Sequence, residues 1–394
     1  MSAIAHISGR QILDSRGDPT LEVEVVLENG VRATASVPHG KSKGGTEVVE
    51  LSVPSAITII TTAVLPTLMG VESERQREVD QALLKLDATS DKSIIGGNTT
   101  LAVSLAVARA AAEEKHIPLW KHIGDIADMG KLRLEIPRLL VNMIEGGVHA
   151  AGKLAIQEHL VIPMHASLTE AIAAVKRIYA RTEEILGHQF GSSGVHVGDE
   201  GGFWAEFIDP YEPFSVLRDA ILQENEVMNV RFGIDAAASN IDMKPEELKR
   251  LYLELIERFQ LAYIEDPYAE QEHAQFADLY RIAGSHVHIV GDDLTTTNVE
   301  LMRKAHEANA INGIIIKPNQ IGTLTETIEA VKLARSWGWF TVVSHRSGET
   351  MDTAIADIAI GLRADGFKLG APRQAERVAK YNRLQHIAGE ATLT

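Results

Sequence analysis

Five short apolar runs in the second half of the chain each end on an ionisable side chain, and they recur at a nearly constant interval. Arg231-Phe232-Gly233-Ile234 stops at Asp235, Leu261-Ala262-Tyr263-Ile264 at Glu265, and His288-Ile289-Val290-Gly291 at Asp292 and Asp293. Ile314-Ile315-Ile316 stops at Lys317, and Thr341-Val342-Val343-Ser344 at His345. Successive polar ends lie 30, 27, 25 and 28 residues apart, room for one strand and one helix per interval. Unbroken apolar runs are the mark of parallel strands covered on both faces. A closed β/α barrel opens all such strand ends onto one face, where the active site sits. The pattern therefore predicts three carboxylates, a lysine and a histidine around one pocket, a metal site with a base beside it.

The front of the chain reads differently. Leu21, Val23 and Val25 alternate with Glu22 and Glu24, which predicts a half-exposed strand. Glu28-Asn29-Gly30 is a hairpin turn signal, with 31–37 as the partner strand. Helical patterns follow at 55–69, 73–86 and 102–115, the last with Asn98-Thr99 as N-cap. Residues 1–128 are thus expected to form an α+β domain. Residues 129–394 are expected to form the barrel, with helices near 167–186, 244–260, 272–283, 298–310, 325–337 and 351–364. No low-complexity linker separates the two, so they are expected to pack tightly and share the pocket.

Bulk numbers remove several alternatives. A net charge of −16 disfavours nucleic acid or an anionic membrane as partner. A small anionic substrate stays open, because a local metal or lysine cluster decides that. The absence of cysteine excludes disulfides, thiolate metal sites and cysteine nucleophiles. No apolar run is long enough to cross a bilayer. Residues 1–10 lack a basic-then-apolar signal pattern, so a cytoplasmic enzyme is expected.

Three longer motifs carry more information: Gly198-Asp199-Glu200-Gly201-Gly202, Ile316-Lys317-Pro318-Asn319-Gln320-Ile321-Gly322 and Ser344-His345-Arg346-Ser347-Gly348-Glu349-Thr350. Together with Asp14-Ser15-Arg16-Gly17-Asp18-Pro19-Thr20 near the start and Arg377-Val378-Ala379-Lys380-Tyr381-Asn382 near the end, they make the chain resemble the enolases. The resemblance covers nearly the whole sequence. It implies an α+β capping domain on a β/α barrel of TIM type with an irregular start. It also implies a homodimer or larger homo-oligomer, and interconversion of 2-phosphoglycerate and phosphoenolpyruvate with Mg²⁺, a step of glycolysis.

Stripping a proton from carbon next to a carboxylate creates a high-energy dianion, which divalent cations stabilise where the charge forms. Mg²⁺ takes an octahedral shell of oxygens, so a few carboxylates suffice. By the resemblance Asp235, Glu265 and Asp292 are the metal triad; taken singly, each could equally cap the helix that follows its strand. Lys317 matches the family's base, which requires a lowered pKa that burial and nearby cations can supply. Lys380 matches the second lysine, paired with the substrate carboxylate. Glu200 matches the acid that protonates the leaving hydroxyl, with Glu158 as its partner. His345 and His149 match active-site histidines, and Arg346 and Ser347 the phosphate-binding pair, for which a guanidinium fork is suited.

The chain departs from the family around the loop that should close over the substrate. His39 stands where the family usually has serine, Lys41 where it has alanine, and Lys43 where it has threonine. These three are expected to touch substrate, because added cations there can hold phosphate or a further anionic group. Glu145 replaces asparagine and His159 replaces phenylalanine. Two further readings follow. One is an enolase-like paralogue of specialised metabolism, such as a carboxyphosphonoenolpyruvate synthase, acting on a related phosphorylated or phosphonylated carboxylate. The other, a non-catalytic interaction protein, is opposed by the intact catalytic set.

Overall fold

The computed structural model describes residues 2–41, 44–130, 134–149 and 154–391. Strands β1 (Ile4–Leu13), β2 (Pro19–Leu27) and β3 (Arg32–Ser36) form an antiparallel sheet. The predicted turn joins β2 to β3, with the Gly30 N–H bonded to the Leu27 carbonyl. Alternation does its work here: Leu21, Val23 and Val25 are fully buried and the sheet rests on the helix Gly97–Glu114. That helix starts earlier than the Asn98-Thr99 signal suggests, because the Asn98 side chain is taken up by the Leu51 backbone. The stretch 53–68 is helical with a widened π turn at Ile60–Val64. Pro66 has no N–H and its ring crowds the carbonyl four residues back, and a π turn absorbs that misfit.

The second body is a closed eight-stranded barrel. β4 (Arg138–Glu145) and β5 (Glu158–Pro163) come first, and a short hairpin, β6 (His196–Val197) with β7 (Phe203–Trp204), extends from β4. Then follow β8 (Val230–Asp235), β9 (Leu261–Glu265), β10 (His288–Gly291), β11 (Gly313–Ile316), β12 (Phe340–Ser344) and β13 (Gly366–Lys368). β13 pairs back onto β4 and closes the ring. β5 runs antiparallel to both its neighbours, while the remaining barrel pairs are parallel. Leu140, Leu160, Ile162, Tyr263, Val290, Ile315 and Val342 fill the interior, so the barrel is a packed core and not a pore. The helices Pro245–Phe259, His273–Ala283, Val299–Glu307 and Leu324–Ser336 return the chain between parallel strands, as the repeat predicts. Helices Leu119–Ile126, Glu212–Gln223 and Ala375–Ala391 are additions to the predicted set. Among the described residues no helix is long and apolar enough to cross a membrane.

Candidate active site at the barrel mouth

Strand register places the site. Asp235 and Glu265 are direct partners at the ends of β8 and β9. Asp292 follows one residue beyond β10, where Asp266 aims it by accepting the backbone N–H of Asp292 (2.9 Å) and Asp293 (2.8 Å). Lys317 follows β11 and its ammonium pairs with Asp292 Oδ2. Because β5 is reversed, its first residue lies at the mouth, and Glu158 sits between Asp235 and Glu145. Glu200 arrives on the loop before β7, its Oε2 3.1 Å from His345 Nε2. Glu158, Glu200, Asp235, Asp292, Lys317 and His345 thus line one cavity, together with Arg346, Ser347 and Lys41.

Lys380 does not join them. It is fully buried on the terminal helix, 2.9 Å from Glu349 Oε2 and 2.6 Å from the Thr350 carbonyl. It buttresses the turn behind Arg346 and stays outside the cavity lining. The second strand-end lysine of the cavity, after Lys317, is Lys368, the last residue of β13. Its Nζ is 2.8 Å from Asp235 Oδ2, 3.0 Å from Glu265 Oε1 and 3.3 Å from Glu158 Oε1. Lys368 lies 23 residues after His345, close to the repeat interval, and that step is the signal that marks it.

Residues 39–41 are docked on the barrel. His39 and Gly348 exchange backbone hydrogen bonds of 2.7 and 2.9 Å, and the Lys41 N–H donates to Ser347 Oγ at 2.9 Å. Lys41 Nζ reaches Asp199 Oδ2 at 3.0 Å. Arg346 is clasped by both oxygens of Glu47, at 2.9 and 3.1 Å. Gly40 is required at this contact, since a Cβ there would lie 1.9 Å from Arg346 Nη2. His39 is not in the inner cavity. It lines an outer pocket with Arg16 and Asp199, 2.8 Å from Glu50 Oε2. Lys43 lies outside the described residues. His149 ends the short turn Gly147–His149, and its side chain also lies outside the described set.

The charge balance is strained toward the acidic side. Burial and the neighbouring Glu200 charge hold Glu158 well above the ordinary carboxylate range, and the same two causes raise Glu145. Glu265 is pushed up to about 8 by burial and then by Asp235. Burial would raise Asp292 too, but Lys317 first, with Arg346 and Lys368 behind it, outweighs burial and holds this carboxyl low. The converse holds for Lys317: burial alone would lower it, yet Asp292 raises it. The lowered lysine that a base requires is therefore not a property of the protein side chains by themselves. The cavity is ≈ 30 Å³, about the room of one or two waters, so a substrate must displace the ion pairs that fill it.

Asp235, Glu265 and Asp292 offer only hard carboxylate oxygens, and acids outnumber cations around them; such a set suits a divalent cation of the Mg²⁺ class. The tightest oxygen cluster among the described residues is Asp266, Asp292 and Asp293, with ligand atoms within 4.8 Å of one another. The predicted triad is wider because the Lys368 ammonium lies between two of its members.

A capped β/α barrel with acids on successive strand ends and two lysines paired to them places the chain among barrel enzymes whose mouth can hold a divalent cation. Family comparison narrows the class. The description "Enolase, N-terminal domain" matches residues 4–123, and "Enolase, C-terminal TIM barrel domain" matches 133–244 and 241–393. The chain is 40% identical to the enolase of Aeropyrum pernix, over 98% of this chain and 94% of that one. It is 39% identical to enolase B of Dictyostelium discoideum and 39% to the enolase of Metallosphaera sedula, again over 98% of this chain, and over 95% and 96% of theirs. The chain belongs to the enolase family, whose members are hydro-lyases.

Proposed function

We propose that this enzyme interconverts 2-phosphoglycerate and phosphoenolpyruvate. The observation that carries the reading is one cavity lined by Lys317, Lys368, Asp235, Asp292, Glu158 and Glu200, with Glu265 paired to Lys368 behind it. Lys317 Nζ takes the C2 proton, and the C–H electron pair becomes the C2=C3 bond. The C3 hydroxyl leaves with a proton from Glu200 and departs as water. Glu158, whose carboxyl burial and the Glu200 charge hold well above the ordinary range, is the partner of Glu200 in this step. Lys368 pairs with the substrate carboxylate, the part the sequence assigned to Lys380. Arg346 and Ser347 hold the phosphate, whose oxygens replace Glu47 on the guanidinium fork. A Mg²⁺ held by Asp235, Glu265 and Asp292 would neutralise the carboxylate charge and, by engaging Asp292, release Lys317 from the pair that keeps it protonated. The same reading expects a cytoplasmic homodimer or larger homo-oligomer, measurable by sedimentation.

The test is a Mg²⁺-dependent rise in ultraviolet absorbance as 2-phosphoglycerate becomes phosphoenolpyruvate. No turnover at saturating metal and substrate rejects the reading. A second reading, a related phosphorylated or phosphonylated carboxylate as substrate, is favoured by one observation: Lys41 brings an extra cation into the cavity wall.

A further inference from the structure

Arg377, on the helix Ala375–Ala391, is fully buried yet its guanidinium hydrogen-bonds mainly to neutral acceptors. Nη1 donates to His345 Nδ1 and to the Arg346 carbonyl, both at 2.7 Å. Nη2 donates to the carbonyls of Ser347 (2.7 Å) and Asp199 (3.1 Å). The nearest carboxylate in contact with its Nε is Glu376, at 3.8 Å. A buried cation ordinarily takes a carboxylate partner, so this use of its donors calls for a reason.

Arginine is a donor only and keeps its protons at any pH a protein survives. The contact with Nδ1 therefore has one polarity: Nδ1 presents its lone pair. A neutral imidazole has a single N–H, so the hydrogen is on Nε2, which faces Glu200 Oε2 across 3.1 Å. That pair is close without yet having the alignment of a full hydrogen bond.

We propose that Arg377 is a positioning residue that sets the tautomer of His345, so that an N–H and not a lone pair is presented to Glu200. The same guanidinium ties the Glu200 loop, through Asp199, to the loop that carries Arg346 and Ser347. The inference rests on the hydro-lyase reading for its catalytic meaning. An imidazole donor facing Glu200 Oε2, beside the Asn142 amide that donates to the same oxygen at 3.4 Å, favours one orientation of that carboxyl. The ring stays neutral because burial pushes His345 down to about 4; Glu200 and Glu349 oppose that shift and Arg377 reinforces it.

The experiment uses full-length protein labelled with ¹⁵N at histidine, the His345 signals being assigned by their loss in His345→Gln. Long-range nitrogen–carbon-proton spectra report the tautomer directly. Wild type at about pH 7 is expected to show Nε2–H with no titration near neutrality. Arg377→Met is expected to move His345 to the other tautomer or to a ring that titrates near neutrality. It should also lower kcat at least about tenfold while KM changes less than about threefold. Arg377→Lys, which keeps one cationic donor, should restore part of the wild-type signature. Nδ1–H in wild type, or an unchanged spectrum and kcat in Arg377→Met, overturns the proposal. Should Arg377→Met fail to fold, the wild-type tautomer and Arg377→Lys still decide. Wild-type protein that shows the Nε2–H signature without hydratase turnover would sink the proposed function and leave this inference standing.

Discussion

His159→Phe should make the protein resist acid better, and the size of the effect follows from where the ring sits. His159 is completely buried on β5, edge-on to Phe214 at 5.0 Å between ring centroids. Its Nδ1 lies 3.1 Å from the Ile144 carbonyl, at a register shift between β4 and β5, and its Nε2 has no partner. A carbonyl only accepts, so Nδ1 carries the hydrogen and Nε2 is a bare lone pair in an apolar wall. Burial pushes the ring from 6.5 to about 4. A histidine lowered on folding contributes stability that is complete above the unfolded pKa and is lost as pH falls toward the folded one. Between about pH 7.5 and pH 5 the wild type should lose roughly 2 kcal/mol through this residue, and the variant none of it. At the higher pH the lost hydrogen bond and the removed orphan nitrogen are each worth about 1 kcal/mol, so the two proteins should differ little. Urea melts of both proteins at both pH values give the four free energies. If wild type and variant lose the same stability between them, the account of a neutral, half-satisfied ring is wrong.

Asp80→Asn should show the opposite pH sign. Burial raises Asp80 from 3.8 to about 6, so its unfavourable contribution grows as pH rises through that range. Between pH 5 and about pH 7.5 wild type should lose about 1.4 kcal/mol through this carboxyl and the variant none, again by urea melts; the variant's absolute level is set by the acceptor its amide takes from Gln76 or Thr325. Lys368→Met should cut kcat for 2-phosphoglycerate at least about a hundredfold. Lys380→Met should act first on stability, by about 3–5 kcal/mol, because it strands the buried Glu349 charge; equal kinetic losses in the two variants would contradict the assignment of roles. Lys41→Ala breaks a pair with Asp199 that is half in solvent, so stability should move by less than about 1 kcal/mol. If 2-phosphoglycerate is the substrate, its kcat/KM should change less than about threefold, whereas a tenfold gain would favour the related-substrate reading.

What was legible in the sequence depended on direction and distance along the chain. Asp235, Glu265 and Lys317 announce themselves because each ends or follows a strand long enough to leave an apolar run. Lys368 ends a strand of three residues, and Gly366-Phe367 before it is too short a run to read, which leaves only its spacing from His345 as a signal. Glu158 opens its strand instead of ending it, since β5 is reversed, so only the family likeness singles it out. The Glu47–Arg346 clasp joins residues 299 positions apart, and no local pattern encodes such a pairing. Lys380 shows the converse failure. Its motif matched, but whether a buried lysine faces a cavity or a turn is decided by helix rotation against neighbours, which spacing does not record.

The reversal of β5 has a consequence for how such a barrel can diversify. An ordinary β/α unit sends its connection away from the catalytic rim and around the outside of the cylinder. Here β4 ends and β5 begins at the same rim, so the chain leaves beside Glu145 and re-enters beside Glu158. Changes of length or composition between those two residues can remodel ligand choice while every helix on the cylinder's exterior keeps its place.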